Sequence, residues 1–356
     1  MAVKLRGALL GAGNIALRGH IPQWLGDEAL QDEVEIAAVA DVSASNLELA
    51  RRSFPAARAY SRVEELLESE DVDFCDICTP PSSHRPLIEA AAKLGRHVLC
   101  EKPLAHTLEE AEAIARAVRA ARIVFQPCHQ YHYSPQWAAT RALLPRLGRI
   151  HFVEYDVFRT SANEGSANWQ PRWRTDPQHA GGGILMDHGA HIFYELRSVF
   201  GDPHGVQATT RTLRHAEYDV EDTACVALDY GDRIATMRLT WAARHREVRF
   251  RFVGERGEVV GDDRRVVLVT DQGEEEARFA DGMSKDSAHS DWYSPLFRRF
   301  AARIRAGETG TEGLDEALAV TRLIARAYES SAEGRMMIVD EAGAKPLHVA
   351  GTVGVR

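Results

Sequence analysis

The stretch "VKLRGALLGAGNIALRGHIPQWL", residues 3–25, decides the fold. Its first part, residues 3–10, is a short apolar-rich run that reads as a strand. It runs into Gly11, Gly13 and Ala16, a G-x-G-x-x-A pattern. Gly11 permits the tight turn, Gly13 lets backbone approach a pyrophosphate, and Ala16 is small enough for close helix–strand packing. The helix that follows would turn its first N–H groups, around Asn14 and Ile15, toward those phosphates. A glycine turn alone is a weak signal, and a purely structural turn is the alternative. The context strengthens it. "EVEIAAVAD", residues 33–41, is a second apolar run that ends in Asp41, a carboxylate able to accept both ribose hydroxyls of an adenosine. Asp41 stands 30 positions after Gly11, against about 20 from the fingerprint in the usual case; the polar stretch "GDEALQDEVE" takes up the difference. A 2′-phosphate would be repelled by Asp41 and would call for a base beside it. Val42, Ser43 and Ala44 follow instead, and Arg51 and Arg52 lie a turn or more further on. The expected cofactor is therefore NAD, with NADP less favoured.

The alternation continues outward from this unit. "SASNLELARRSF" reads as a helix, and so does "SRVEELLES", with Ser61 as N-cap and Glu64 as its capping-box partner. "DVDFCDICTP" is a strand, "HRPLIEAAAKLG" a helix closed by Gly95, and "RHVLCEKPLA" a strand. "TLEEAEAIARAVRAA" is a helix with a Thr107–Glu110 box, and "IVFQPCHQY" one more strand. Strands separated by helices of this length build a parallel sheet, so residues 1–127 are expected to form a Rossmann domain. Ligands bind beyond the carboxyl ends of such strands. The strand ends here are Gly11–Ala16, Asp41, Thr79–His84 and Glu101–Pro103, which places Thr79, Pro80, His84, Glu101 and Lys102 on the cofactor side.

The chain of 356 residues has room for about two domains. Its net charge of −9 disfavours non-specific nucleic-acid or membrane binding. No apolar run approaches the roughly 18 residues of a bilayer span, and "MAVKLRGALLGAG" has no signal-peptide pattern, so a cytoplasmic protein is expected. The five cysteines are dispersed. Cys75 and Cys78 fall on a strand, where positions three apart point to opposite faces; they read as plain buried cysteines rather than a redox pair or zinc knuckle.

The fingerprint, then "TPPSSH" (79–84), "EKP" (101–103) and "GGGILMDHGAH" (181–191), in this order over residues 5–201, resembles the glucose–fructose oxidoreductase / inositol 2-dehydrogenase / MocA family. The resemblance implies a two-domain dehydrogenase whose nicotinamide lies against an open mixed sheet in the second domain. Lys102 matches the family's lysine, Pro103 the proline that often follows a cis peptide, and Asp187 and His191 its acid and histidine pair. One position departs: the family commonly has a second acid three after the histidine, and here it is Tyr194. "QPCHQYHYSP" matches a substrate-facing segment, which makes Tyr131 and His132 pocket candidates, with core or hinge packing the alternative. The family's sheet often forms the subunit interface, so a homodimer or homotetramer is expected.

In "GGGILMDHGAHIFYELRSVFG", residues 181–201, Asp187 and His191 are four apart and share a helix face, with His188 beside them. Three readings are open: a metal site, a packed helix start capped by Asp187, or the chemical end of a pocket. The last is preferred. No H-E-x-x-H is present, the dinucleotide already carries the redox chemistry, and no metal is expected. Removing hydride from a secondary alcohol needs a base for the hydroxyl proton and positive charge where alkoxide develops. His191 suits the first task and Lys102 the second, with Asp187 orienting substrate or histidine and His188 adding a hydrogen bond. The glycines at 181–183 would let backbone pass close to substrate.

Residues 128–356 read as an α+β substrate and oligomerisation domain with a large open, mostly antiparallel sheet. After a helix near 135–147, alternating runs from "RIHFVEYDVFRT" to "RRVVLVTDQGEEEARF" suit a sheet with one solvated face. The polar loop "SANEGSANWQPRWRTDP" could close Trp169, Trp173 and Arg174 over a sugar, with Arg172 beside them, or form a domain contact. Two amphipathic helices follow within 290–334, then a strand and a tail. The expected function is NAD-dependent hydride transfer at a secondary alcohol or ketone of a sugar, cyclitol or related polyol. The alternatives are an NAD-using enzyme that cleaves or rearranges glycosides through transient oxidation, and a non-catalytic NAD sensor.

Overall fold

The computed structural model describes residues 3–285 and 288–339. The first unit runs β1 (Leu5–Leu10), α1 (Ile21–Gly26), α2 (Glu28–Glu33), β2 (Val34–Ala40), α3 (Ala44–Ser53), β3 (Arg58–Tyr60), α4 (Val63–Ser69), β4 (Phe74–Ile77), α5 (His84–Lys93), β5 (His97–Glu101), α6 (Leu108–Ala121) and β6 (Phe125–Cys128). Its six strands pair in parallel in the order β3-β2-β1-β4-β5-β6. Helices cover both faces, which is why the middle strands read as unbroken apolar runs: all four residues of β4 are buried. Cys75 and Cys78 fall into the packing on opposite sides of this sheet, and both are unpaired.

Most helix starts follow their sequence signals. Ser43 caps α3, and the Thr107 hydroxyl accepts from Glu110 N at 3.2 Å. One does not. Ser61 caps nothing, because the chain is still extended at Arg62 (φ −134°, ψ 133°) and α4 starts at Val63 without a side-chain cap. Ser61 lies in the bend just after β3, whose Tyr60 carbonyl accepts from Asp41 N.

The second unit runs α7 (Pro135–Leu143), β7 (Ile150–Phe158), α8 (Pro177–Ala180), α9 (Ala190–Phe200), β8 (Gly205–Arg211), β9 (Thr223–Asp229), β10 (Ile234–Thr240), β11 (Glu247–Gly254), β12 (Gly257–Asp262), β13 (Arg265–Thr270) and β14 (Gly273–Arg278). It ends with α10 (Tyr293–Arg305), α11 (Glu312–Glu333) and β15 (Met337–Ile338). The sheet order is β14-β13-β12-β11-β7-β10-β9-β8-β15, antiparallel apart from the β7–β10 pair. Alternation is clean in β11, where Val248, Phe250 and Phe252 are buried and Arg249 and Arg251 exposed. The C-terminal tail beyond residue 339 lies outside the described residues.

The two units are bound together late in the chain. Tyr293, Leu296, Phe297 and Phe300 of α10 pack with Leu9, Trp24 and Phe74 of the first unit. α11 spans both cores, with Leu314 and Leu318 in one and Leu323, Ile324 and Ala327 in the other.

Beneath the first sheet's carboxyl edge lies a fully buried histidine, His20. Its Nδ1 is 2.9 Å from Asp76 Oδ1 and its Nε2 3.0 Å from Glu101 Oε1. Trp24 Nε1 donates to Asp76 at 2.8 Å and the Tyr293 hydroxyl to Glu101 at 2.7 Å. Burial opposes charge on His20, but Asp76 and Cys78 outweigh it, and the imidazole is held well above its usual pKa. The donor atoms of His20, Asp76 and Cys78, and of His20, Glu101 and Cys128, are close enough to hold a cation. A doubly protonated ring facing carboxylates through both nitrogens has no lone pair to give one.

His20→Ala leaves Asp76 and Glu101 without their shared cation, and urea unfolding should show a loss of about 3–5 kcal/mol. Because the folded-state pKa is raised, the His20 contribution is complete below the unfolded value of about 6.5 and is lost as pH rises through the folded value. The stability gap between wild type and variant should therefore narrow on the alkaline side. A constant gap would contradict a charged His20.

Candidate active site

A cavity of about 570 Å³ opens at the carboxyl edge of the first sheet, with walls from both units. On the first side are Gly11, Gly13, Asn14, Ile15, Asp41, Thr79, Pro80, Glu101 and Lys102, nine of the ten cofactor residues expected from sequence. Gly11 has φ +89°, and a Cβ there would lie 2.6 Å from Thr79 Cγ2. A Cβ at Gly13 would meet nothing within 4 Å, so the turn leaves room where a pyrophosphate would sit. The Thr79 hydroxyl is buried with no hydrogen-bond partner among the described residues. Asp41 accepts from Ala12 N at 2.6 Å and Ser43 N at 2.7 Å. Burial raises its pKa, and these N–H groups work against that shift. An open glycine turn, an orphaned hydroxyl and a strand-end carboxylate together fit a dinucleotide.

His84 is the exception. It is fully buried and does not reach the cavity. Its Nε2 lies 2.9 Å from the Thr79 carbonyl and its Nδ1 3.1 Å from that of Pro103, so it ties two strand-end loops together.

Lys102 precedes a cis Pro103 and crosses to the second unit. Its Nζ donates to Asp187 Oδ1 at 2.8 Å and to the Asp187 carbonyl at 3.0 Å. Burial works to raise the Asp187 pKa, but Lys102 and then His188 outweigh it, and the carboxyl is held well below its usual range. His188 Nδ1 stands 3.2 Å from Asp187 Oδ2; burial pulls its pKa down to about 4 despite that carboxylate. His191 is 5% exposed, and burial, reinforced by Lys102, holds it well below 6.5. Its Nδ1 is sealed without a partner among the described residues, which leaves Nε2 as the nitrogen open to the cavity. Its ring lies against Tyr131, 4.2 Å between centroids. Both histidines are thus neutral at pH 7, beside a cation.

The alternative of a helix start capped by Asp187 fails: the turn and the helix both begin without a side-chain cap. A π-turn at Leu185–Gly189 leads into α9, and the first free N–H groups go to Glu221, which accepts from Gly183 at 2.8 Å and Leu185 at 3.0 Å. The Tyr328 hydroxyl adds 2.9 Å to the same carboxylate. The glycine run allows this packing, since a Cβ on Gly183 would sit 1.8 Å from the Glu221 carbonyl oxygen, and Gly182 beside it lines the cavity. Glu221 stands 38 residues from Gly183 in the chain, and no local pattern marks it.

Tyr131, Trp169, Trp173 and Arg174 line the cavity. His132 does not; its Nδ1 is 3.2 Å from buried Glu195 and 3.3 Å from Arg141 Nη1. Arg172 turns away to the Glu217 carbonyl. Tyr194 bonds Glu316 at 3.1 Å behind the site. Arg51 and Arg52 are engaged by Glu48, as their distance from Asp41 suggests, but Arg62 reaches the cavity rim, a base that local sequence did not reveal.

A parallel sheet with a glycine turn at its carboxyl edge, facing an acid–histidine pair across a lysine, defines a Rossmann-type dinucleotide-binding protein. Residues 5–129 match the oxidoreductase family with NAD-binding Rossmann fold, and residues 140–260 the GFO/IDH/MocA C-terminal domain. The chain belongs to the GFO/IDH/MocA family, and its first unit is an NAD-binding domain. D-apiose dehydrogenase of Paraburkholderia graminis is 30% identical over 242 residues, 66% of this chain and 60% of that protein. The chain thus spans about 60% of that relative's length. 1,5-Anhydro-D-fructose reductase of Ensifer adhaerens is 27% identical over 344 residues, 92% of this chain and 98% of that one. GenD2 from gentamicin A biosynthesis, solved in complex with NAD, is 25% identical with a TM-score of 0.79, over 96% of this chain and 97% of that one.

The Asp41 carboxylate should make NADH bind more tightly than NADPH. Fluorescence titration checks this; Asp41→Ala should narrow the gap, and equal or tighter NADPH binding in the wild type would assign the rim to Arg62 instead.

Proposed function

We propose that this protein is an NAD-dependent oxidoreductase that interconverts a secondary alcohol and a ketone on a sugar, cyclitol or related polyol. In this reading residues 1–127 hold the nucleotide and residues 128–356 carry the substrate side and the oligomer contact. The single observation that carries the reading is the Lys102–Asp187 bond across the cavity, with neutral His191 on the same helix face as Asp187.

NAD supplies the hydride acceptor when bound. The chain's own groups handle the proton. As the C–H hydride leaves, the hydroxyl proton passes to His191 Nε2, and Lys102 holds the oxygen where negative charge collects. Asp187 fixes the lysine and limits how far its charge suppresses the histidine. His188 stands within reach of a second hydroxyl. Trp169 and Trp173 offer faces to the apolar side of a ring, and Arg174 offers N–H donors. In the reverse direction His191 returns the proton. The carbohydrate names of the similar proteins support the substrate class.

Other features belong to the same reading. Among the described residues no helix is long and apolar enough to cross a membrane. Five unpaired cysteines suit a reducing, cytoplasmic setting. The outer face of the second sheet carries half-exposed Ile234 among the Arg238 and Arg249 partners of Asp156, a mixed surface suited to a homodimer or homotetramer.

His191→Ala should lose turnover by about 10²–10⁴-fold while keeping NADH affinity, read by steady-state kinetics beside nucleotide titration on a cyclitol and aldose panel. Near-wild-type turnover would move the proton role to Lys102. Because His191 is held neutral, the acid limb of alcohol oxidation in the wild type should lie well below pH 6.5. Light scattering at micromolar concentration should report an oligomer; a monomer would remove the interface from this reading.

A further inference from the structure

The loop between β7 and α8 leaves its own unit. Three hydrogen bonds dock it on the first unit beside the nucleotide crevice. Asn14 Nδ2 donates to the Glu164 carbonyl at 3.1 Å. Ser166 Oγ donates to Asn46 Oδ1 at 2.7 Å, and Asn168 Nδ2 donates to the same oxygen at 3.1 Å. Asn46 is only 2% exposed, on the first turn of α3, and its side chain also hydrogen-bonds Asp41. One amide therefore joins the strand-end carboxylate of the first unit to a loop of the second. Its oxygen takes two donors from the loop, which leaves its nitrogen to serve Asp41.

The loop is built to hold a shape. Gly165 N donates to the Pro171 carbonyl at 2.6 Å. A Cβ on Gly165 would lie 2.6 Å from Trp173 Cδ1, and the Arg174 guanidinium stacks over the Trp173 ring at 4.3 Å. Asn163, Glu164, Gly165 and Ser166 line the same cavity as Gly13 and Asp41. The segment forms one wall of the nucleotide crevice, and it is the wall that belongs to the other unit.

We infer that residues 163–169 are a clasp over the dinucleotide, with Asn46 as its joint, so that cofactor exchange requires the clasp to leave Asn46. This rests on the NAD-dependent reading above. Asn46, Ser166 and Asn168 are then binding residues outside the glycine fingerprint, and they slow release of the nucleotide. Trp173 and Arg174 hang from the same loop, so the wall offered to substrate is in place when the clasp is down on a bound nucleotide.

The test is the release rate of NADH. A preformed NADH complex is mixed with excess NAD⁺ and the loss of NADH fluorescence is followed by stopped flow. Asn168 is exposed, so Asn168→Ala does not threaten folding. It should speed release several-fold, and Ser166→Ala/Asn168→Ala should do so by roughly tenfold or more, as the loss of two hydrogen bonds to one amide would. A second readout is trypsin: bound NADH should protect Arg172 and Arg174 in the wild type and protect them less in the double variant. Unchanged release with NADH still bound overturns the clasp and leaves the NAD-dependent reading standing. A wild type that binds no NADH overturns both.

Discussion

The bond between Lys102 and Asp187 is the constraint on which the site depends. It joins the carboxyl end of β5 to the start of α9, 85 positions apart in the chain. It closes only if both units are docked as they are, and that docking rests on apolar side chains from a third region, α10 and α11. The ion pair is part-buried, with 12% and 18% exposure of the two side chains. Its role is positional more than stabilising, since desolvation of the partners offsets much of their attraction. What it secures is a cation at a fixed place in a partly dry cleft, where charge is felt more strongly than in water.

Around this pair the imidazoles divide by environment. His20 has a carboxylate on each nitrogen and is held charged. His129, His188 and His191 are buried near Lys102 and are pushed toward the neutral form, His129 to about 3. One residue type therefore supplies a structural cation under the sheet and neutral rings near Lys102. The difference is the count of facing carboxylates, not burial, which is nearly complete in every case. His20 also holds Glu101, whose Oε2 accepts from Lys102 N at 3.2 Å, so the charged histidine steadies the turn from which the lysine reaches out.

Ser61 reads as a helix cap and does not act as one; for Asp187 the cap is only the alternative to a place in the pocket, and it fails for a related reason, since each is a short polar residue before an apolar stretch. At Ser61 the strand pairing of the chain just before it, at Tyr60, keeps the backbone extended. At Asp187 a remote acid, Glu221, already holds the helix start, which frees Asp187 for Lys102. His84, read at a strand end, and His132, for which core or hinge packing is the alternative to the pocket, both turn their side chains back into the packing.

The local sequence determined the nucleotide half almost entirely. The glycine turn, Asp41 and the strand-end residues Thr79, Pro80, Glu101 and Lys102 belong to short βα units whose geometry repeats, so position along the chain is position at the sheet edge. It also marked Asp187 and His191 as one helix face, because four residues make a turn. The tertiary structure alone decided which partners met: Glu221 under Gly183, Arg62 at the rim, Asn46 against Ser166 and Asn168. These contacts join residues far apart in the chain. Their side chains are ordinary surface or cap types wherever they occur, and only the docking of one unit on the other brings them within hydrogen-bond reach.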